Sequence, residues 1–401
     1  RGATEEQFES ELLNWRATMK TVYDANIAVY PCRGNHENWS TAAVWQNVFA
    51  DLPANGPTGE EHMTYSVTHK NALIVALDEF VTPYRINQPW LDSQLAGNSQ
   101  PLVFVFGHTP AFHAYHYDCL DDYPDNRDAF WDSISRAGGK TYFCGHDHFI
   151  DVAYVYDGDG TPANDVYQFI SGTAGAPFYP FYPPYDGLNS HYSLKQLLHL
   201  QRFGYLLVEV DDLDVSITWM QRDTNDLLVD GIYEPNETWS FSVSPLILIS
   251  PNDSQSIRPG SSYEIQWRTY ETATVEYVLL EYSTDGGLGW SLIDIVPNAG
   301  FYEWTVPVTY SNQCLVRVSD LNDPAVNDAS FKTFALPRPG DFNSDGQVDG
   351  GDFAAMAGSW KSTHGQAEYD PLYDISEPGD AVIDSRDLAA FVDHWLAGNS
   401  W

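Results

Sequence analysis

Pro101-Leu-Val-Phe-Val-Phe-Gly-His-Thr-Pro110 places a glycine–histidine pair at the end of a continuous apolar run of strand length. Asn71-Ala-Leu-Ile-Val-Ala-Leu77 is a second run of the same kind. Apolar runs this short, bounded by polar or turn residues, are the pattern of strands buried on both faces in an α/β protein. Glu5 to Asp24 carries Phe8, Leu12, Trp15, Met19 and Val22 at helical spacing, and Ile27 to Tyr30 reads as a short buried strand. Asn87 to Leu95 and Asn126 to Ala137 are further helix candidates. Helix and strand patterns alternate up to about Ser244, which predicts a layered α/β domain over residues 1–244.

Two more motifs resemble the Gly107-His108-Thr109-Pro110 segment: Gly34-Asn35-His36-Glu37 and Gly145-His146-Asp147-His148. Each follows an apolar run and joins glycine to histidine or asparagine. Residues at the ends of buried strands sit at a sheet edge where loops converge and an ion can reach them. Imidazole nitrogen and amide oxygen suit borderline ions such as zinc, manganese and iron. A lone Gly-His pair is ordinarily just a hydrogen-bonded residue; three in this order and context point to a metal site. His62, His69, His113, His116, His191 and His199 lack that setting and are expected in surface or packing roles. His113 and His116 follow the second motif closely enough to line the same cleft.

Taken in order, the three motifs resemble the third, fourth and fifth motifs of the calcineurin-like metallophosphoesterase superfamily. Ser171-Gly172-Thr173-Ala174-Gly175-Ala176 is similar to the small-residue stretch found downstream of its last motif. The resemblance implies two β-sheets packed face to face and flanked by helices, a four-layer sandwich holding two transition-metal ions (Mn, Fe or Zn). It implies that Asn35, His108 and His146 bind one ion and His148 the other, with His36 donating a proton to the leaving group. The implied activity is hydrolysis of a phosphate ester. The superfamily's first motif, Asp-x-His, and second, Gly-Asp, belong upstream of Gly34. Residues 1–33 contain no histidine, and their one aspartate, Asp24, lacks the preceding glycine. The chain is therefore expected to be either N-terminally incomplete or a degenerate, non-catalytic binding or scaffold relative. The three intact downstream motifs favour the first.

From Pro245 to Leu336 the pattern changes to short alternating strands, predicting an all-β sandwich of Ig or fibronectin type III character over residues 245–336. Tyr263 to Trp267, Val278 to Ser283, Tyr302 to Val306 and Leu315 to Val318 are its strand candidates, with a tight turn at Asp285-Gly286-Gly287. No catalytic cluster lies there, so its expected role is spacer. Pro337-Arg338-Pro339-Gly340 is a short, stiff linker.

Residues 340–401 contain an internal repeat. Asp345 aligns with Asp380, Val348 with Ile383, Asp349 with Asp384, Asp352 with Asp387 and Trp360 with Trp395. Asp341, Asn343 and Asp345, the Gln347 carbonyl and Asp352 occupy positions 1, 3, 5, 7 and 12 of a calcium loop, with Gly346 at the sharp turn. Val348 is expected in the small core between the loops. Prolines exclude an entering helix, so only exiting helices are expected, Phe353 to Trp360 and Leu388 to Leu396. The half EF-hand, duplicated, resembles a type I dockerin, which implies a small α-helical calcium-binding domain and a cohesin-like protein partner. The second copy keeps Asp380 and Asp387, but Ser376, Pro378 and Ala381 stand at its positions 1, 3 and 6. A looped-out variant starting at Asp374 is the alternative register.

The chain has 56 acidic against 19 basic side chains, a net charge of −37. Such a surface repels phosphate backbones and argues against nucleic-acid binding. No run is long and apolar enough to span a membrane. Cys32, Cys119, Cys144 and Cys314 match no zinc spacing and no disulfide framework, and are expected to be free thiols. Calcium binding points to an extracellular or cell-surface protein. A third reading, a component of a carbohydrate-degrading assembly, rests on the tail alone. Substrate choice is expected to lie in the loops His113 to Asp125 and Phe178 to Tyr192.

Overall fold

The computed structural model describes residues 4–157, 165–180, 191–270, 275–343, 345, 347–376 and 379–395. Gly346, Pro378, Leu396 and residues 181–190 of the second substrate-loop candidate lie outside them. The chain divides into two compact units, Arg1–Val243 and Ser244–Trp401. Among the described residues no helix is long and apolar enough to cross a membrane. All four cysteines are free thiols.

The first unit opens with α1 (Glu5–Thr18), α2 (Lys20–Asp24) and α3 (Ala42–Val48). Thr4 caps α1 by accepting the Gln7 N–H, while Glu5 and Glu6 in its first turn complement the helix dipole. Then come β1 (Tyr65–His69), β2 (Ala72–Ala76), α4 (Gln88–Ala96), β3 (Leu102–Phe106), α5 (Pro124–Arg136) and β4 (Thr141–Cys144). β5 (Ile150–Tyr156), β6 (Val166–Ser171) and β7 (Ser193–Leu200) complete a seven-stranded sheet in the order β1-β2-β3-β4-β6-β5-β7. β8 (Gly204–Asp211), β9 (Asp214–Arg222) and β10 (Tyr233–Ser242) form a separate antiparallel sheet.

The two apolar runs are β2 and β3, as expected. They pair in parallel, and β3 with β4 and β4 with β6 continue the parallel core. Alternation along these strands sends Leu73, Val75, Val103 and Val105 to one face, where they pack with Leu91 and Leu95 of α4 and Phe130, Trp131 and Ile134 of α5. Ala72, Leu102, Phe104 and Phe143 face the other way, onto Val215, Ile217 and Trp219 of β9. α1 and α3 cover Tyr65 and Ala76 on that second face, at the β1–β2 end.

Two expectations are corrected. Among the described residues the layers number three (α4 and α5, the large sheet, the small sheet with α1 and α3), not four. The outer face of the small sheet exposes Tyr205 and Leu207 instead of carrying helices. Residues 27–30 are not a strand, and Ile27 is 58% exposed. An apolar run becomes a strand only where a neighbour pairs with its backbone, and no described strand does so here.

The second unit begins with β11 (Leu246–Ser250), β12 (Ser262–Thr269), β13 (Tyr277–Ser283) and β14 (Ser291–Pro297), followed by β15 (Phe301–Thr305), β16 (Ser311–Asp320), β17 (Asn327–Ala329) and β18 (Phe334–Leu336). One sheet runs β11-β12-β15; the other runs β14-β13-β16-β17, with β18 also on β16. Leu248, Ile265, Trp267 and Trp304 from the first pack with Leu280, Val316 and Val318 from the second, so the two sheets share one core. Gly286 and Gly287 take the positive φ that the turn after β13 requires. The tail carries α6 (Gly350–Gly358) and α7 (Ser385–Asp393), each opened by a reciprocal Asp–Asp capping box, Asp349 with Asp352 and Asp384 with Asp387. Val348, Met356, Ile383 and Phe391 are buried between the repeats, with Val348 and Ile383 in equivalent places.

Candidate metal centre

β2, β3, β4 and β6 run in parallel, so their C-terminal ends lie along one edge. The residues leaving them are Asp78-Glu79, Gly107-His108, Gly145-His146 and Gly172. This edge is where an open parallel sheet presents a ligand site.

Two carboxylates after β2 set the loops in place, and neither stands out in the sequence. Asp78 receives the Arg33 guanidinium at 2.5 and 2.9 Å, fully buried, and so fixes the segment leading into Gly34-Asn35-His36. Its Oδ1 also accepts the N–H groups of Phe80 and Val81. Glu79, also buried, accepts the N–H of His108 at 3.1 Å, the N–H of Thr109 at 2.7 Å and the hydroxyl of Tyr142 at 2.6 Å. Burial raises its carboxyl to about 7. Gly107 is required at this point, because a Cβ there would lie 2.0 Å from Glu79 Oε1.

The expected ligands Asn35, His108 and His146 converge. Asn35 Oδ1 lies 3.1 Å from His108 Nε2, and the His108 and His146 rings meet edge to face at 5.3 Å. Burial, reinforced by His146, His36 and His148, pushes the His108 imidazole down to about 3, so it is neutral at ordinary pH. His146 is also lowered, chiefly by burial. A neutral imidazole is the form that ligates a metal. His146 holds a φ of 65°, a left-handed conformation costly for a non-glycine residue and concentrated at functional sites. His148 accepts a different constraint: its Nδ1 meets the Pro177 carbonyl at 2.9 Å, so Nδ1 carries the proton and Nε2 is left with a lone pair. Tyr179 stacks on the His148 ring at 4.2 Å and on Tyr115 at 4.8 Å. His36 is exposed at the head of a short 3-10 turn, Glu37–Trp39, and Glu37 reaches back to the Gly34 N–H.

The donor set fits a borderline metal: an amide oxygen, two neutral imidazoles and a third imidazole with its tautomer set. The fit is incomplete for two ions. Asp24, the one aspartate of residues 1–33, sits on α2, exposed and ion-paired with Lys20.

His116 belongs to the site's surroundings, as its position after the second motif allowed. Its ring lies 4.8 Å from that of His146, and its Nδ1 meets Asp147 at 2.6 Å. That bond raises its pKa. His116, His146 and Asp147 offer ligand atoms within 4.8 Å of one another. Asp147, however, already accepts the N–H groups of Tyr115 and His116 besides the His116 ring, so it acts as an orienting carboxylate that ties the 113–118 loop to the third motif. A Cβ at Gly172 would lie 2.0 Å from the Asp147 carbonyl, which explains a small residue there. His113 instead pairs with buried Asp121 at 2.7 Å, and Gln168 of β6 holds the loop by accepting the N–H groups of Ala111 and Phe112. Asp118 points at the site, its Oδ1 3.4 Å from His146 Nε2.

In the tail, Asp352 closes the first loop: Oδ1 accepts the N–H groups of Phe342 and Asn343, and Oδ2 that of Asp349. Asp341 is buried, the Asp345 carboxylate receives the Asn343 amide and the Gln347 N–H, and Asn343 Oδ1 accepts the Asp345 N–H. In the second loop Asp387 receives the N–H groups of Ser376 and Asp384. Ser376 therefore stands where Asn343 does, not where Asp341 does, and the simple repeat register is corrected. Asp374, buried and accepting the Ala381 N–H, takes the place of Asp341. Asp380 is ion-paired with Arg386.

Parallel strands whose ends bring Asn35, His108 and His146 together at one sheet edge define an α/β domain with a candidate metal centre. Residues 1–149 match the family model described as Calcineurin-like phosphoesterase, so the N-terminal part of the chain carries a domain of that kind. Among solved structures, the chain is similar to the purple acid phosphatase PPD1 from yellow lupin (Lupinus luteus) seeds, at 14% identity and a TM-score of 0.35 over 45% of this chain. It spans about a third of that phosphatase, 32% of its length. It is also similar to the fibronectin(III)-like modules of CbhA from Clostridium thermocellum, at 12% identity and a TM-score of 0.18, covering 50% of this chain and 90% of that one. No curated protein matches the chain.

Proposed function

We propose that the first unit is a metal-dependent phosphoesterase that hydrolyses phosphate esters at a two-metal centre. The observation that carries the reading is the approach of Asn35 Oδ1 to His108 Nε2 at 3.1 Å beside the buried His146 ring. Asn35, His108 and His146 would hold one ion and His148 the other. Such ions, when bound, supply Lewis-acid stabilisation of the oxygens around phosphorus. His36, exposed at the rim, would donate the proton to the departing oxygen. The Pro177 carbonyl would hold the His148 Nδ1 proton in place, with Tyr179 stacked between the His148 and Tyr115 rings.

Mass-spectrometric metal counting after chelation and reloading with manganese or zinc, paired with hydrolysis of nitrophenyl phosphomonoester and diester, tests the reading. Retained transition ions that disappear in Asn35→Ala and His108→Ala support it. Wild-type chain that retains none would sink it.

A non-catalytic binding or scaffold role is the second reading. It is favoured by Asp24, the one aspartate of residues 1–33, being exposed and ion-paired with Lys20. Ion retention without turnover of either ester would select it.

Residues 245–336 we take as an Ig or fibronectin-like spacer. The tail would bind calcium through Asp341, Asn343, Asp345, Gln347 and Asp352, with Asp380 and Asp387 in the second loop, and would engage a cohesin-like partner in an extracellular or cell-surface setting. The buried pair Val348 and Ile383 supports a duplicated loop–helix unit. Calcium titration followed by heat capacity should show the tail's melting rise with calcium.

A further inference from the structure

We propose that Asp118 is a metal ligand, supplying a carboxylate to the ion held by His146. The inference rests on the metal-site reading above and goes beyond its motif residues.

The first ground is distance. Asp118 Oδ1 lies 3.4 Å from His146 Nε2. A carboxylate bonded to a histidine by a charge-assisted hydrogen bond sits at about 2.7–2.9 Å. Two donors each about 2.1 Å from a tetrahedral ion are instead about 3.4 Å apart.

The second ground is which carboxylates are already engaged. Asp147 is spent on two backbone N–H groups and the His116 ring, and Glu79 on two backbone N–H groups and Tyr142. Asp121 is paired with His113 and Arg127, and Asp78 with Arg33. Asp118 remains half-exposed, its side chain 47% accessible, and among the described residues its polar contact is with His146.

The third ground is how the loop is held. Asp147 clamps the backbone of Tyr115 and His116, and Cys119 and Leu120 are buried on the other side of Asp118. Only a short, anchored segment therefore carries the carboxylate, which limits the entropy lost on closing over an ion.

Cobalt(II), added to chelated full-length chain with calcium present throughout to occupy the tail, is the probe. Isothermal titration and the cobalt visible spectrum report on it, so the readout does not depend on turnover. Asp118→Asn and Asp118→Ala should each weaken cobalt binding by about tenfold or more and shift the spectrum. Asp122→Asn, an exposed neighbour, should do neither. Circular dichroism of the isosteric Asp118→Asn variant separates ligand loss from misfolding. Wild-type affinity and spectrum in both Asp118 variants, with binding lost in His146→Ala, overturns the proposal and leaves the metal-site reading standing. Wild-type chain that takes up no cobalt overturns both.

Discussion

Glu79 holds His108 by its backbone rather than by its ring: the glutamate carboxylate accepts the His108 N–H at 3.1 Å while the imidazole turns towards Asn35 at 3.1 Å. A residue 29 positions upstream thus aims a candidate ligand without touching its donor atom. Truncation in Glu79→Ala leaves the N–H groups of His108 and Thr109 facing a cavity, at about 1–3 kcal/mol for each unsatisfied group, while the Tyr142 hydroxyl keeps the Thr109 carbonyl at 2.7 Å. Thermal unfolding should show that loss. Cobalt or zinc affinity should also fall by about 10–100-fold, as for loss of an orienting partner of a ligand. A destabilised variant with unchanged metal affinity would count against the positioning role.

Asp78 and Arg33 form a fully buried pair, 0% and 2% exposed at their side chains. Removing one partner strands the other charge. Asp78→Ala should therefore destabilise the first unit by about 3–5 kcal/mol. Replacing both by apolar residues should cost much less. Denaturant titration of the single and double variants checks the difference.

Asp151 of β5 is wholly buried, bonded to Gln196 and His199, and burial raises its carboxyl above the ordinary value against the pull of His199. The folded chain then keeps a proton that the unfolded chain releases near pH ~4. Its stabilising contribution is complete below that pH and is lost as pH rises through the raised folded value. Asp151→Asn does not titrate, so its melting temperature should gain on wild type as pH climbs from about 4 to 7. A difference that stays constant with pH would contradict the assignment.

Asp352 closes the first tail loop through three backbone N–H groups and caps α6. Asp352→Ala should abolish calcium-dependent stabilisation of the first loop and leave residues 341–352 open to limited proteolysis even in calcium. Asp345→Ala, at an exposed position, should weaken calcium binding while costing the apo tail only the loop bonds it accepts from Asn343 and Gln347.

β2 and β3 were legible because strands covered on both faces have no polar face to break the apolar run. The helices were legible because Phe8 and Leu12, or Phe130 and Ile134, return to one face at helical spacing. Ile27 to Tyr30 misled because it has the composition of a strand without a partner to pair with. The four-layer expectation failed for a related reason: a sheet face is covered only if chain elsewhere supplies the cover.

Chemistry written along the chain can be read without a structure: Gly145-His146-Asp147-His148 and the loop from Asp341 to Asp352 carry their meaning in short spacings, and the Val348–Ile383 match in a fixed repeat offset. Which acids serve the site is a different kind of fact. Among 56 acidic residues, Asp78, Glu79 and Asp118 have no distinguishing neighbours, and Asp147, though it sits inside the Gly145–His148 motif, carries no local sign of its orienting role. They matter because parallel strands bring their loops to one edge, where each carboxylate either finds buried donors or faces a ligand. The tail shows the same division. Its duplication is plain in the sequence, but the register of the second loop is set by Asp387, whose carboxylate selects the backbone N–H of Ser376 through space.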